Sequence, residues 1–261
     1  MPLRTVGATR YVTPLHEGGS LPAIVEGDDD GMYVLKFRGA GQGPKVLIAE
    51  LIAGEIARAL GLPVPELVLM ELDADLARTE PDPEIQDLLR ASAGLNIALD
   101  YLPGSVMFDP VAITPDAQLA SEIVWFDAFV SNVDRTARNT NLLVWHRRIR
   151  LIDHGAALYF HHAWGSDYLQ RSRDAFARIK DHVLLRYADS MPSTDERLSA
   201  RLTASLIRDI VAQVPDAWFG HEPLFASTHE HREAYVEYLL RRLESPHPFV
   251  EEAVRARSLL V

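Results

Sequence analysis

The chain contains no cysteine, which excludes disulfides and thiolate metal sites and suits a cytoplasmic protein. It has no apolar run near the roughly 20 residues that a membrane-spanning helix needs. Its first residues lack the basic and then apolar pattern of a signal peptide. Positive charge is scarce. The 26 Lys and Arg against 37 Asp and Glu give a formal charge of −11, which argues against broad binding to nucleic acid or to an anionic membrane. Repeats and low-complexity tracts are missing, and so is the Gly-x-Ser-x-Gly elbow of many serine hydrolases. His161-His162 and His229-Glu230-His231 lack the i, i+4 spacing that sets two zinc ligands on one helix face, so these histidines read as ordinary polar side chains. What remains is an ordinary globular composition, 48% hydrophobic and 24% charged, in 261 residues. That length suits one well-buried unit better than two independent domains.

The most informative stretch runs from Asn132 to Gly155. Asp134 is followed five residues later by Asn139, and a second Asp-x-Gly, Asp153-His154-Gly155, comes after a short hairpin. Upstream, Ser121–Val130 has apolar residues at helical spacing. Downstream, Leu142–Trp145 and Ile149–Ile152 are short apolar runs joined by His146-Arg147-Arg148. Helix, polar loop, hairpin and then Asp-x-Gly is an order that delivers both carboxylates to one cleft. The spacing matches a phosphotransfer site: Asp134 to orient the attacking hydroxyl or take its proton, Asn139 and Asp153 to hold metal ions bridging nucleotide phosphates. Such ions and phosphates want hard oxygen ligands. Arg138, beside Asn139, is either a neutraliser of charge on the transferred group or a plain surface arginine.

A second half of the site is expected near the N-terminus. Gly31–Phe37 reads as a strand on which Lys36 shares a face with Met32 and Val34. A lysine on an apolar face needs an anionic partner to offset desolvation. The following helix, Lys45–Leu60, pairs a large apolar face with a face of small residues, so burial on both sides is expected. Glu50 lies in the small-residue face and is the preferred partner, with Glu55 as competitor. Two glycine-rich turns flank the lysine strand. Glu17-Gly18-Gly19-Ser20 could cover phosphates with backbone amides. Gly39–Gly43 could present amides at a helix start or simply connect, and it fits neither the Gly-x-Gly-x-x-Gly nor the Walker pattern.

Val-Leu-Lys-Phe with Lys36, Glu50 eleven residues before Gly61-Leu62-Pro63-Val64-Pro65, Asp134 to Asn139, and Asp153 together resemble HipA-type serine/threonine kinases over roughly residues 15 to 165. The loop is also similar to the Asp-Arg-His-x-x-Asn loop of phosphoinositide kinases, with Thr136 in place of the His. The chain departs from HipA in being far shorter and in having His154 after Asp153. The resemblance implies an α+β, two-lobed, protein-kinase-like fold: an N-lobe over 1–102 and a mainly helical C-lobe over 103–261. It implies ATP and Mg2+ as cofactors, with Lys36 on the phosphates, Glu50 positioning it, Asp134 as base, and Asn139 and Asp153 on magnesium. It also implies a serine in the glycine loop, here Ser20, as an autophosphorylation site. An antitoxin-like protein partner would follow from the same likeness.

Three function classes stay open: phosphorylation of a protein serine or threonine, phosphorylation of a small-molecule hydroxyl, and nucleotide binding without turnover. The acidic charge counts against a phosphoinositide substrate. The organisation expected elsewhere is a small antiparallel sheet within residues 1–37 and a strand over 66–72. Leu95–Leu102 reads as a strand whose end, Asp100 to Gly104, would be the hinge that pairs with an adenine edge. Helices are expected over Asp116–Val130, Asp174–Ala188, Asp195–Val214 and Glu230–Leu243, the third capped by Thr194 or Asp195.

Overall fold

Three strands open the chain and pair as antiparallel neighbours: β1 (Thr5–Pro14), β2 (Ala23–Gly27) and β3 (Met32–Lys36). The computed structural model describes residues 2–15, 21–41, 43–244 and 246–260. Helix α1 (Pro44–Ala59) follows, with a proline in its first turn and every residue from Val46 to Ala57 buried. This is the two-sided burial that its paired apolar and small-residue faces require. Then come β4 (Leu67–Leu72), a 3₁₀ turn over Ala74–Thr79, α2 (Pro83–Ala91) and β5 (Gly94–Asp100).

The five strands close into a barrel in the order β1-β2-β3-β5-β4, in which β1 and β4 run parallel. The expected small antiparallel sheet is therefore incomplete. Period-two burial identifies strands but not their distant partners, and closure depends on Thr5–Gly7 meeting Leu69–Glu71. Val6, Ala23, Leu35, Val68, Met70 and Ala98 fill the barrel, and α2 covers it with Ile85 and Leu89.

The second lobe begins with β6 (Val106–Met107) and α3 (Ala117–Phe129), whose Asp116 caps the Leu119 amide. The hairpin β7 (Leu142–Trp145) and β8 (Arg148–Leu151) joins β6 in a three-stranded sheet. Its turn residues His146 and Arg147 both have positive φ, as a tight two-residue hairpin demands. The rest is helical: α4 (Tyr168–Arg171), α5 (Met191–Ser199), α6 (Ala204–Val211), α7 (Thr228–Arg242) and α8 (Pro248–Ser258). No helix among the described residues is long and apolar enough to cross a membrane.

Two helix expectations fail. Asp174–Ala188 forms two 3₁₀ turns, Ala177–Asp181 and Leu185–Tyr187, because Phe176 is left-handed and the Val183 amide donates to the Arg135 carbonyl instead of to its own helix. Asp195–Val214 is two helices, the second restarted by Thr203, whose hydroxyl caps Leu206. Asp195 is not a cap. It accepts from the Trp125 indole and contacts the His247 ring.

A single apolar core joins α1 to α3 and to the helices that follow, with Leu47, Leu51, Trp125, Phe126, Phe129 and Tyr235 among its members. Helix α1, although it lies between strands of the barrel in sequence, is thus cemented to the helical lobe. A glutamate on α1 keeps a fixed position relative to groups on both lobes.

Candidate active site

A cleft of about 610 Å³ separates the lobes. Val34, Lys36 and Leu99 form its roof, Asp100, Tyr101 and Leu102 its back, and Met107, Leu143 and Ile152 an apolar floor. Asn139, Asn141 and Asp153 bring polar groups to its inner end. Apolar walls with a few converging polar groups are what a small-molecule site requires. The hinge is held at both sides, because the Asp100 amide donates to the Glu66 carbonyl and the Tyr101 amide to the Met32 carbonyl. Burial raises the pKa of Asp100, with Glu66 adding to the effect.

Lys36 Nζ donates to Glu50 Oε2 at 2.7 Å and to Asp153 Oδ1 at 2.5 Å. Glu55 takes no part, being paired with Arg58 one turn along α1 at 2.5 Å. Glu50 is fully buried, and its Oε2 also accepts the His154 amide at 2.9 Å while Oε1 lies 3.2 Å from His154 Nδ1. Burial alone would pull the Lys36 pKa down, but Asp153 and Glu50 outweigh it and hold the ammonium above its ordinary value. Burial alone would raise Glu50, but Lys36 and His154 reverse that and hold it well below the usual carboxylate range. The charges are therefore fixed in place across the cleft.

Gly155 makes the approach possible. A Cβ there would sit 2.5 Å from Val46 Cγ1, so only glycine lets α1 lie against the Asp153 loop. Asp153 itself has φ of 53°, and Ser131 and Asn141 are also left-handed. Non-glycine residues in that region carry local strain that persists where the surroundings over-determine it, as at functional sites.

On the opposite side, Asp134 Oδ2 accepts from Asn139 Nδ2 at 2.7 Å and from Asn141 Nδ2 at 3.3 Å. Its other oxygen, Oδ1, has no hydrogen bond among the described residues. Asn141 was not among the sequence candidates. Its signal lay only in the Asn-Thr-Asn repetition after Arg138, and its place in the cleft depends on a positive φ that the sequence does not announce. Arg138 is exposed, does not line the cleft and has no ion pair among the described residues.

Gly18, Gly19 and Ser20 lie outside the described residues, although Leu15 and Pro22, which flank them in sequence, line the cleft. In the second glycine loop, Gly39, Ala40, Gly41 and Gly43 do not line the cleft. Gly39 packs on Ala91 and Ser92, and Gly39, Ala40 and Gly41 border a separate hollow against α2.

The donor set fits a magnesium ion carried with a nucleotide. Asp153 Oδ2 and Asn139 Oδ1 are free of hydrogen bonds among the described residues, and both belong to cleft-lining side chains. Among the described residues no three His, Asp or Glu converge to cage a metal unaided. One or two side-chain oxygens completed by phosphate and water is the usual magnesium arrangement.

No curated protein matches the sequence. Among solved structures, the crystal structure of the Helicobacter pylori proinflammatory kinase CtkA is similar over 99% of both chains, with 14% identity and a TM-score of 0.59. That likeness shows a shared two-lobed fold. The Golgi casein kinase is more distant, with 13% identity over 93% of this chain and 73% of that one and a TM-score of 0.43. The profile of HipA-like kinases matches residues 9–251, nearly the whole sequence, and the chain therefore belongs to the HipA-like kinase family.

Proposed function

We propose that this protein is a phosphotransferase that uses ATP and Mg2+ to phosphorylate a serine or threonine hydroxyl of a protein. The observation that carries the reading is Lys36, buried in the cleft between Glu50 and Asp153 and facing the Asp134–Asn139 loop. A fixed, buried ammonium at the cleft wall is suited to the charge of nucleotide phosphates. The apolar floor of Met107, Leu143 and Ile152 suits a base ring, with the Asp100–Leu102 backbone at its edge.

Asp134 would take the proton of the acceptor hydroxyl on its free Oδ1, while Asn139 and Asn141 fix Oδ2. The hydroxyl oxygen then bonds to the terminal phosphorus as the bond to the bridging oxygen breaks, and ADP leaves. Asn139 and Asp153 would hold magnesium, which when bound supplies charge neutralisation to the phosphates.

Incubation with labelled ATP and magnesium, alone and with cell extract, tests this. Label in protein that is lost in Asp134→Asn supports the reading. Label only in small molecules would instead indicate a metabolite hydroxyl as acceptor. ATP bound but never consumed would reduce the protein to a nucleotide-binding module.

A further inference from the structure

Behind the Asp134 loop lies a set of buried polar side chains that do not line the cleft. Asp127 projects from the otherwise apolar α3 and is fully buried. Its carboxylate accepts from Arg135 Nε at 2.5 Å, Asn132 Nδ2 at 2.9 Å and His182 Nε2 at 2.9 Å. Burial would raise its pKa, but Arg135 and His182 hold it well below the carboxylate range, so the group is ionised.

The hydrogen bonds also fix the histidine. His182 Nδ1 accepts the Leu184 amide at 3.0 Å, so that nitrogen carries no proton. The ring proton is on Nε2 and is donated to Asp127.

Arg135 then ties together the stretches that carry Asp134, Asn139 and Asp153. It follows Asp134 directly. Its Nη1 donates to the Asn141 carbonyl and, at 3.3 Å, to the Ile152 carbonyl, the residue before Asp153. Asn132 adds a further tie, accepting the Asp134 amide at 3.2 Å. The segment carrying His182 is pinned to the same loop, since Thr136 bridges to His182 and the Val183 amide donates to the Arg135 carbonyl at 3.1 Å.

A buried ion pair is a poor stabiliser compared with apolar packing, so its retention calls for another reason. Here the strained backbones at Ser131, Asn141 and Asp153 supply one, because each needs its neighbours to hold it. We propose that Asp127, Arg135 and His182 are positioning residues for phosphotransfer: from behind the cleft they lock Asp134, Asn139 and Asp153 into one geometry, with His182 acting as the Nε2–H donor that completes the Asp127 carboxylate. The inference rests on the phosphotransferase reading.

Asp127→Asn is a poor test, because it strands a buried guanidinium and endangers folding. Two changes at His182 separate the alternatives. The glutamine amide nitrogen falls near the Nε2 position, so His182→Gln keeps the donor to Asp127 and loses the acceptor for Leu184. The asparagine oxygen falls near Nδ1, so His182→Asn does the reverse. We expect His182→Gln to stay within about threefold of the parent kcat. His182→Asn should lose at least about tenfold in kcat, with KM for ATP changed less than about threefold. Amide hydrogen exchange across 132–141 should quicken in His182→Asn alone, a measurement that needs no turnover. A merely structural histidine would give two variants with equal losses of melting temperature and parental kcat. Equal behaviour of the two variants, or parental kcat and exchange in His182→Asn, overturns the proposal. If the parent consumes no ATP, the phosphotransferase reading fails, and the exchange comparison still decides whether the Asp127 donor holds the loop.

Discussion

Replacing Glu50 probes the part of the site on which the charge argument depends. Glu50 Oε2 takes the Lys36 ammonium and the His154 amide, and Oε1 faces His154 Nδ1. Glu50→Gln can keep that geometry, with its oxygen toward Lys36 and its amide nitrogen toward His154 Nδ1. The charge is lost, and the His154 hydrogen bond reverses, because a carboxylate oxygen accepts from Nδ1 and an amide nitrogen donates to it. A charge-assisted hydrogen bond is worth about 1.5–3 kcal/mol, and loss of that positioning corresponds to a fall in turnover of roughly 10–150-fold. Glu50→Ala goes further and leaves a buried ammonium with Asp153 alone. Breaking a buried pair costs about 3–5 kcal/mol. Asp153 is partly exposed and still accepts from Lys36, so the lower part of that range applies here. For a chain of this size, ~3 kcal/mol lowers Tm by roughly 6–12 °C. Steady-state ATP consumption and differential scanning calorimetry on both variants measure these effects. Parental turnover in Glu50→Gln, or a Glu50→Ala melting point within about a degree of the parent, refutes the reasoning.

Asp153→Ala should abolish magnesium-dependent nucleotide turnover while the fold survives, since the side chain is partly exposed on a loop; near-normal ATP turnover would remove Asp153 from the site. Asp134→Asn should bind ATP nearly as well as the parent in a fluorescence titration yet transfer phosphate at least about a hundredfold more slowly, because an amide cannot accept the hydroxyl proton. Burial lowers the His231 pKa from 6.5 to about 4. Between those values the unfolded chain binds a proton that the folded chain refuses, so stability must fall as the pH drops. The loss amounts to at most about 2 kcal/mol between pH 6.5 and 5. Urea melts across that range should show the slope, and His231→Phe should flatten it. Ser20→Ala compared with the parent by intact mass after incubation with ATP and magnesium tests autophosphorylation, which is excluded if the parent stays unmodified while another substrate is labelled.

What could be read in the sequence follows from how local each constraint is. Lys36 sits at a fixed alternation on β3, and Glu50 in a row of small residues on α1, so a helix buried on both sides had few other places for a counter-charge. The spacing from Asp134 to Asn139 and the Asp153-His154-Gly155 turn were legible for the same reason, each being set within a few residues. The closing contact between β1 and β4 was not, because it joins positions more than sixty residues apart and leaves no periodic trace.

The misread segment Asp174–Ala188 exposes the same limit and links it to the site. Its composition favours a helix, yet its backbone groups are spent on the Asp134 loop through Val183 and Arg135, and its His182 is spent on Asp127. Local propensity there is overridden by a distant hydrogen-bonding demand. Asp127 carried a faint signal, a lone carboxylate within Ile123–Phe129 on a helix that otherwise reads as core. A charge in such a place needs a partner, and Arg135 eight positions on was the nearest cation that a loop could fold back onto it. The residues that the sequence hid are thus the ones whose role is to hold other residues still.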